Sequence, residues 1–126
     1  VTLAAADVVV YETDNVSVNA KIDSIDGFNL DTATTYDNQI DVSAFAFDGA
    51  VQKIGEWTEL VNGKEFENAA NERTAVNFFD NGADLFVAFD TNNNGSYDIG
   101  SDLVVKLVGL GGGGGANLDV SDIIWS

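Results

Sequence analysis

The segment Asp90-Thr91-Asn92-Asn93-Asn94-Gly95-Ser96-Tyr97-Asp98 sets oxygen-bearing side chains at alternate positions around one glycine. A calcium ion takes six to eight oxygen ligands at about 2.3–2.6 Å, and a loop that turns sharply on a glycine supplies them at every second residue. With Asp90 in the first position, Asn92 and Asn94 fall at the third and fifth, Gly95 at the sixth and Asp98 at the ninth. Ser96, at the seventh, offers its main-chain carbonyl. The twelfth position, where a glutamate would close a helix-flanked loop, is Ser101; the nearest acid, Asp102, comes one residue later. Every donor is a hard oxygen, so the expected cofactor is Ca2+. Two neutral amides and the displaced closing acid place the affinity in the weak extracellular class, on the order of 10⁻⁴ M. A plain polar hairpin loop has use for Asn and Gly, but not for acids at both its first and ninth positions.

Composition narrows the chemistry further. The chain has no His and no Cys. That removes Ser-His and Cys-His nucleophile pairs, disulfides and thiolate metal sites, and leaves oxygen as the metal ligand. Twenty-one Asp and Glu against five Lys and Arg give a net charge of −16. Nucleic-acid phosphates and anionic lipid bind through clustered Lys and Arg, so neither is an expected partner. The same charge repels itself, which cations would relieve. Paired carboxylates for hydrolysis are unavoidable among so many acids and therefore uninformative. The chain is not expected to be an enzyme. Its length of 126 residues and 45 % hydrophobic content suit one folded domain, and no apolar run is long enough to span a bilayer. It begins at Val1 with neither an initiator Met nor a signal-peptide pattern, which suggests a mature product or an excised piece.

Short β-type runs must position the loop. Residues 7–11 read as a buried strand, 16–23 as a half-buried one by their period-two alternation, and 39–47 as another with Ile40, Val42, Ala44 or Phe45, and Phe47 inward. Residues 51–54 read as continuing the same sheet. Residues 75–80 and 84–90 flank Asn81-Gly82, a hairpin signal, and 103–108 returns as a further strand. Residues 56–74 carry Trp57, Leu60 and Val61 at helical spacing but are broken by Gly63, predicting a short helix or an irregular excursion. The five glycines at 111–115, within a Gly-rich stretch at 110–117, predict a flexible tether, and 118–126 a tail that docks back. The expected fold is all-β, an antiparallel sandwich or β-roll-like module with at most one short helix.

Two ordered stretches resemble the C-terminal region of RTX (repeats-in-toxin) exoproteins, as found after the calcium β-roll of serralysin-like metalloproteases. The first runs through Asp7-Val8-Val9-Val10-Tyr11, Asp23-Ser24-Ile25-Asp26-Gly27-Phe28, and 37–45 with Asp37, Asp41 and Phe45. The second is 83–90 with Asn92, Gly95 and Asp98, then 103–109, then Leu118-Asp119-Val120-Ser121-Asp122-Ile123-Ile124. The resemblance implies a secreted bacterial protein exported by type I secretion machinery that reads an uncleaved C-terminal signal, here 118–126. It also implies that Asp7, Asp23 and Asp41 lie near a roll end, with Asp7 as a calcium contact. The glycine-aspartate nonapeptides and the zinc-binding H-E-x-x-H helix of that family are absent, so no protease activity transfers.

The expected function is a non-catalytic, calcium-stabilised extracellular cap and export module of a larger protein. The alternative is a self-associating subunit of a surface layer, filament or adhesin, built by strand pairing between copies.

Overall fold

The computed structural model describes residues 7–12, 22–30 and 38–126. Among these residues eight short strands form two sheets. The larger, five-stranded sheet runs β2 (Asp23–Ile25), β7 (Leu103–Leu107), β6 (Leu85–Phe89), β5 (Val76–Asp80), β4 (Ile54–Trp57). The smaller runs β1 (Val8–Val10), β3 (Gln39–Asp41), β8 (Ile123–Ile124). The chain is mostly sheet; apart from strands the described residues hold only single 3-10 turns, at Ser43–Phe45, Gly49–Val51, Gly114–Asn117 and Val120–Asp122. No helix among them is long and apolar enough to cross a membrane.

Contrary to the expectation of an antiparallel sheet, the pairings among the described strands are mixed. Only β5–β6 and β6–β7 are antiparallel, while β1–β3, β3–β8, β2–β7 and β4–β5 are parallel. Parallel neighbours need long connections. Residues 58–75 supply one between β4 and β5, and residues 26–102 separate β2 from β7. Period-two alternation reports which face a residue takes but not the direction of its neighbour.

That alternation divides the core. Val76 of β5, Leu85, Val87 and Phe89 of β6, and Leu103, Val105 and Leu107 of β7 face one way and pack with Ile25, Ile40 and Ile123, so this cluster draws on both sheets. Ala88 and Val104 face the other way and meet Trp57, Phe66 and Tyr97. The 56–74 segment forms no helix: Trp57 ends a strand, and the rest crosses the second face as an irregular excursion anchored by Phe66, whose ring centre lies 4.9 Å from that of Trp57. Trp57 Nε1 donates to the Glu65 carbonyl (2.8 Å). Strand geometry ends early in 39–47, where Ala46 takes a left-handed φ of 51° after the turn at Ser43–Phe45. Ile40, Val42 and Phe47 are buried as expected, with Ala44 exposed. Residues 51–54 turn before entering β4. β1 is an edge rather than a buried strand, with Val8 43 % and Val10 53 % exposed. The alternating run 16–23 lies outside the described residues except at Ile22 and Asp23.

The glycine run is seated rather than free. Asp80 accepts from the main-chain N–H groups of Gly82 (2.7 Å), Gly112 (2.9 Å) and Gly113 (2.8 Å), which hold its carboxyl below the usual carboxylate range. Gly111 N donates to the Ala83 carbonyl, and Gly115 lies flat on the Phe78 ring. Beyond it, Leu118 and Ile123 join the core and Trp125 meets Phe47 edge-on. A Cβ on Gly111 would come within 2.5 Å of the Ala83 and Asp84 backbone, whereas one on Gly49 would meet nothing within 4 Å. Gly111→Ala is therefore expected to destabilise by about 1–3 kcal/mol in urea unfolding while Gly49→Ala stays within about 0.5 kcal/mol. Equal midpoints for the two variants would mean the run does not press on the 81–84 hairpin loop.

Candidate metal centre

The antiparallel β6–β7 pair sets Phe89 opposite Leu103, so the chain leaves the sheet at Asp90 and re-enters it at Asp102 from adjoining positions. Both end residues are buried acids, Asp90 1 % exposed and Asp102 0 %. This brings the first loop position and the displaced closing acid together, although they are twelve residues apart in sequence.

Main-chain N–H groups secure both carboxylates. Asp90 accepts from Gly95 N (2.9 Å) and Asn94 N (3.3 Å), closing the tight turn in which Asn93 and Gly95 take left-handed φ values of 56° and 85°. Asp102 accepts from Asp98 N (2.8 Å) and Asn92 N (3.4 Å). Asp98 faces inward: its Oδ2 accepts from Asn92 Nδ2 (2.8 Å) and from Asn94 Nδ2. Burial pushes the Asp102 carboxyl up to about 6, and the negative charges of Asp90 and Asp98 push the same way, against its main-chain hydrogen bonds. Thus the three loop acids lie within electrostatic reach of one another. Tyr97 is buried close by, its hydroxyl titration raised by burial and by Asp102.

Ser96 lies where the loop meets the excursion through Phe66. It sits opposite Glu65 in a single antiparallel bridge made by Phe66 N to Gly95 O (2.8 Å) and Tyr97 N to Lys64 O (2.7 Å). In such a pair the intervening residue turns its own N–H and C=O away from the partner strand. Ser96 N accordingly donates to Asn94 Oδ1 inside the loop (3.0 Å). Asp7 is not brought to this loop. It precedes β1 in the other sheet, where its carbonyl accepts from Gln39 N and Asn38 Nδ2.

The donor set of Asp90, Asn92, Asn94, Ser96, Asp98 and Asp102 has the chemistry of a hard-cation site. Among the described residues no three acidic side chains stand at the separations that hold an ion by themselves. The amide hydrogens of Asn92 and Asn94 instead face Asp98, and both amides would turn over to present Oδ1 to a cation. Sequence reasoning missed Arg73. Its Nη2 donates to the Asn93 carbonyl (2.7 Å) and reaches Asp90 Oδ2 (3.4 Å), so a half-exposed guanidinium shares the outer oxygen of the first loop acid. Arg73 is the only arginine in the chain, but its separation from the loop conceals the contact in sequence.

With its carboxyl raised to about 6, Asp102 contributes stability that is present at acid pH and lost as pH rises through 6. In chelator, the stability of the native chain relative to Asp102→Asn is expected to increase by about 1 kcal/mol on going from pH 7 to pH 5. A difference independent of pH in paired thermal melts would remove the buried-charge description of this loop. No family model, no curated protein and no solved structure matches this chain.

Proposed function

We propose that the chain is a calcium-stabilised, non-catalytic β module of an extracellular protein, its two sheets packed as a sandwich and its 90–102 loop the ion site. The observation that carries this reading is the Asp102 carboxylate at the mouth of one hairpin, destabilised first by its burial and further by Asp90 and Asp98. A divalent cation would reverse the sign of that interaction. It would also draw on the amide and carbonyl oxygens set at alternate loop positions. At a net charge of −16, metal-free chain in a calcium-poor cytosol is held away from its compact state, and millimolar extracellular calcium stabilises the fold by mass action. This behaviour suits a cap and secretion-signal module at the C-terminal end of a type I-exported protein, with 118–126 as the export tail.

Calorimetric titration of chelator-stripped protein is expected to show binding on the order of 10⁻⁴ M. A calcium concentration about a hundredfold higher should add about 2–3 kcal/mol of stability. Asp98→Asn should abolish most of both effects, and neither heat nor a gain in melting temperature from the native chain would sink the reading. The export half is tested separately: a passenger fused upstream of the chain should be secreted by a type I-competent host and retained when 118–126 is deleted. Equal secretion of the two fusions would refute it.

A second reading, self-assembly, rests on the β1 edge, where Val8 and Val10 stand exposed on a strand with no described outer neighbour. Calcium-dependent growth in sedimentation velocity, lost on Val10→Lys, would favour assembly over a monomeric module.

A further inference from the structure

β4 closes the five-stranded sheet, paired with β5 on one side and, among the described residues, with no strand on the other. No main-chain hydrogen bond outside that ladder uses Ile54, Gly55, Glu56 or Trp57 among the described residues. A groove of about 950 Å³, bounded by these residues, opens along this edge. Ile54, Trp57 and Phe78 supply its apolar surface, and Glu56, Glu65 and Glu67 its charge. The excursion builds the far wall because residue 55 is glycine: a Cβ there would lie 2.4 Å from the Glu67 carbonyl, which also accepts from Asn77 Nδ2 (3.0 Å).

The three carboxylates have no cationic partner among the described residues, whose ion pairs are Lys53–Glu72, Lys64–Glu59 and Arg73–Asp90. Lys64 also borders the groove but leans to Glu59 at 3.9 Å. An open strand edge offers main-chain hydrogen bonds to any extended chain, and flanking side chains decide which chain. A second copy of this protein is a poor occupant, because it would bring another net charge of −16 against the same glutamates.

We propose that the β4 edge is a docking groove for an extended peptide strand that carries lysine or arginine. The peptide adds a strand beside β4. Its side chains alternate between the sheet's faces, setting basic groups against Glu65 and Glu67 on one and apolar groups over Ile54 and Phe78, beside Glu56, on the other. The groove meets the 90–102 loop at the Glu65–Ser96 bridge, and a titration in chelator isolates peptide binding from any effect of calcium.

The test titrates the whole chain, in chelator, with a short peptide alternating lysine and valine and with its glutamate–valine counterpart. Readouts are amide shifts and the fluorescence of Trp57 in a Trp125→Phe background. The lysine peptide is expected to shift the amides of residues 54–57, to perturb Trp57 and to weaken with salt. The combined Glu56→Gln, Glu65→Gln, Glu67→Gln variant should lose about tenfold in affinity, the loss of several exposed charge pairs. Amide spectra of that variant without peptide check that its fold is retained. Equal binding of the two peptides, shifts centred on another strand edge, or unchanged affinity in the folded variant would each overturn the proposal.

Discussion

Carboxylates accepting from main-chain N–H groups are the interaction on which the described part of this molecule depends. With five cationic side chains for 21 acids, charge pairing cannot neutralise the surface, and only three ion pairs occur among the described residues. The acids instead bind backbone. Asp41 accepts from Ser43 N, Asp48 from Ala50 N, Asp84 from Gly109 N and Asp122 from Asp119 N. Asp80, Asp90 and Asp102 each collect two or more such donors. Turns in this chain are therefore shaped by acidic side chains that accept from the backbone. A donor N–H costs no extra charge and is already fixed by the chain, which suits a protein that cannot afford long-range ion pairs.

This economy explains the different characters of two glycine-containing segments. Around Asp80, a partly exposed acid gathers three N–H groups and is satisfied as an anion, so the polyglycine segment becomes part of the wall beneath the 81–84 turn. Around Asp102, burial and two neighbouring acids outweigh the same kind of hydrogen bond, and the carboxyl is raised. Similar residues thus give a settled turn in one place and a loop with a raised, buried carboxyl in the other. Desolvation separates them.

The two faces of the larger sheet carry that difference into the fold. One face meets the smaller sheet, while the other is roofed by the excursion through Phe66 and Trp57. That roof touches the loop at both the Glu65–Ser96 bridge and Arg73. Tyr97 stands in both settings, as a loop residue and as a member of the Trp57 cluster at a ring-centre distance of 5.9 Å. Changes in the loop are consequently felt by packing on the second face.

Local patterning in the sequence was enough to find β5, the Asn81-Gly82 turn, β6 and β7, because period-two alternation and turn residues act over a few positions. It also identified Asp90, Asn92, Asn94, Ser96 and Asp98 as one loop, since their spacing is itself the structural motif. Asp102, one place beyond the expected closing position, is brought opposite Asp90 by the β6–β7 register, a pairing that no local rule specifies. Four parallel pairings, the exposure of β1, the removal of Asp7 to the other sheet and the reach of Arg73 across the loop were likewise decided in three dimensions. So was the seating of the glycines: alone they have no preferred conformation, and only the Asp80 carboxylate and the Phe78 ring give them one. Contacts between residues distant in the chain depend on which surfaces can be buried together, and that is settled by packing the whole molecule.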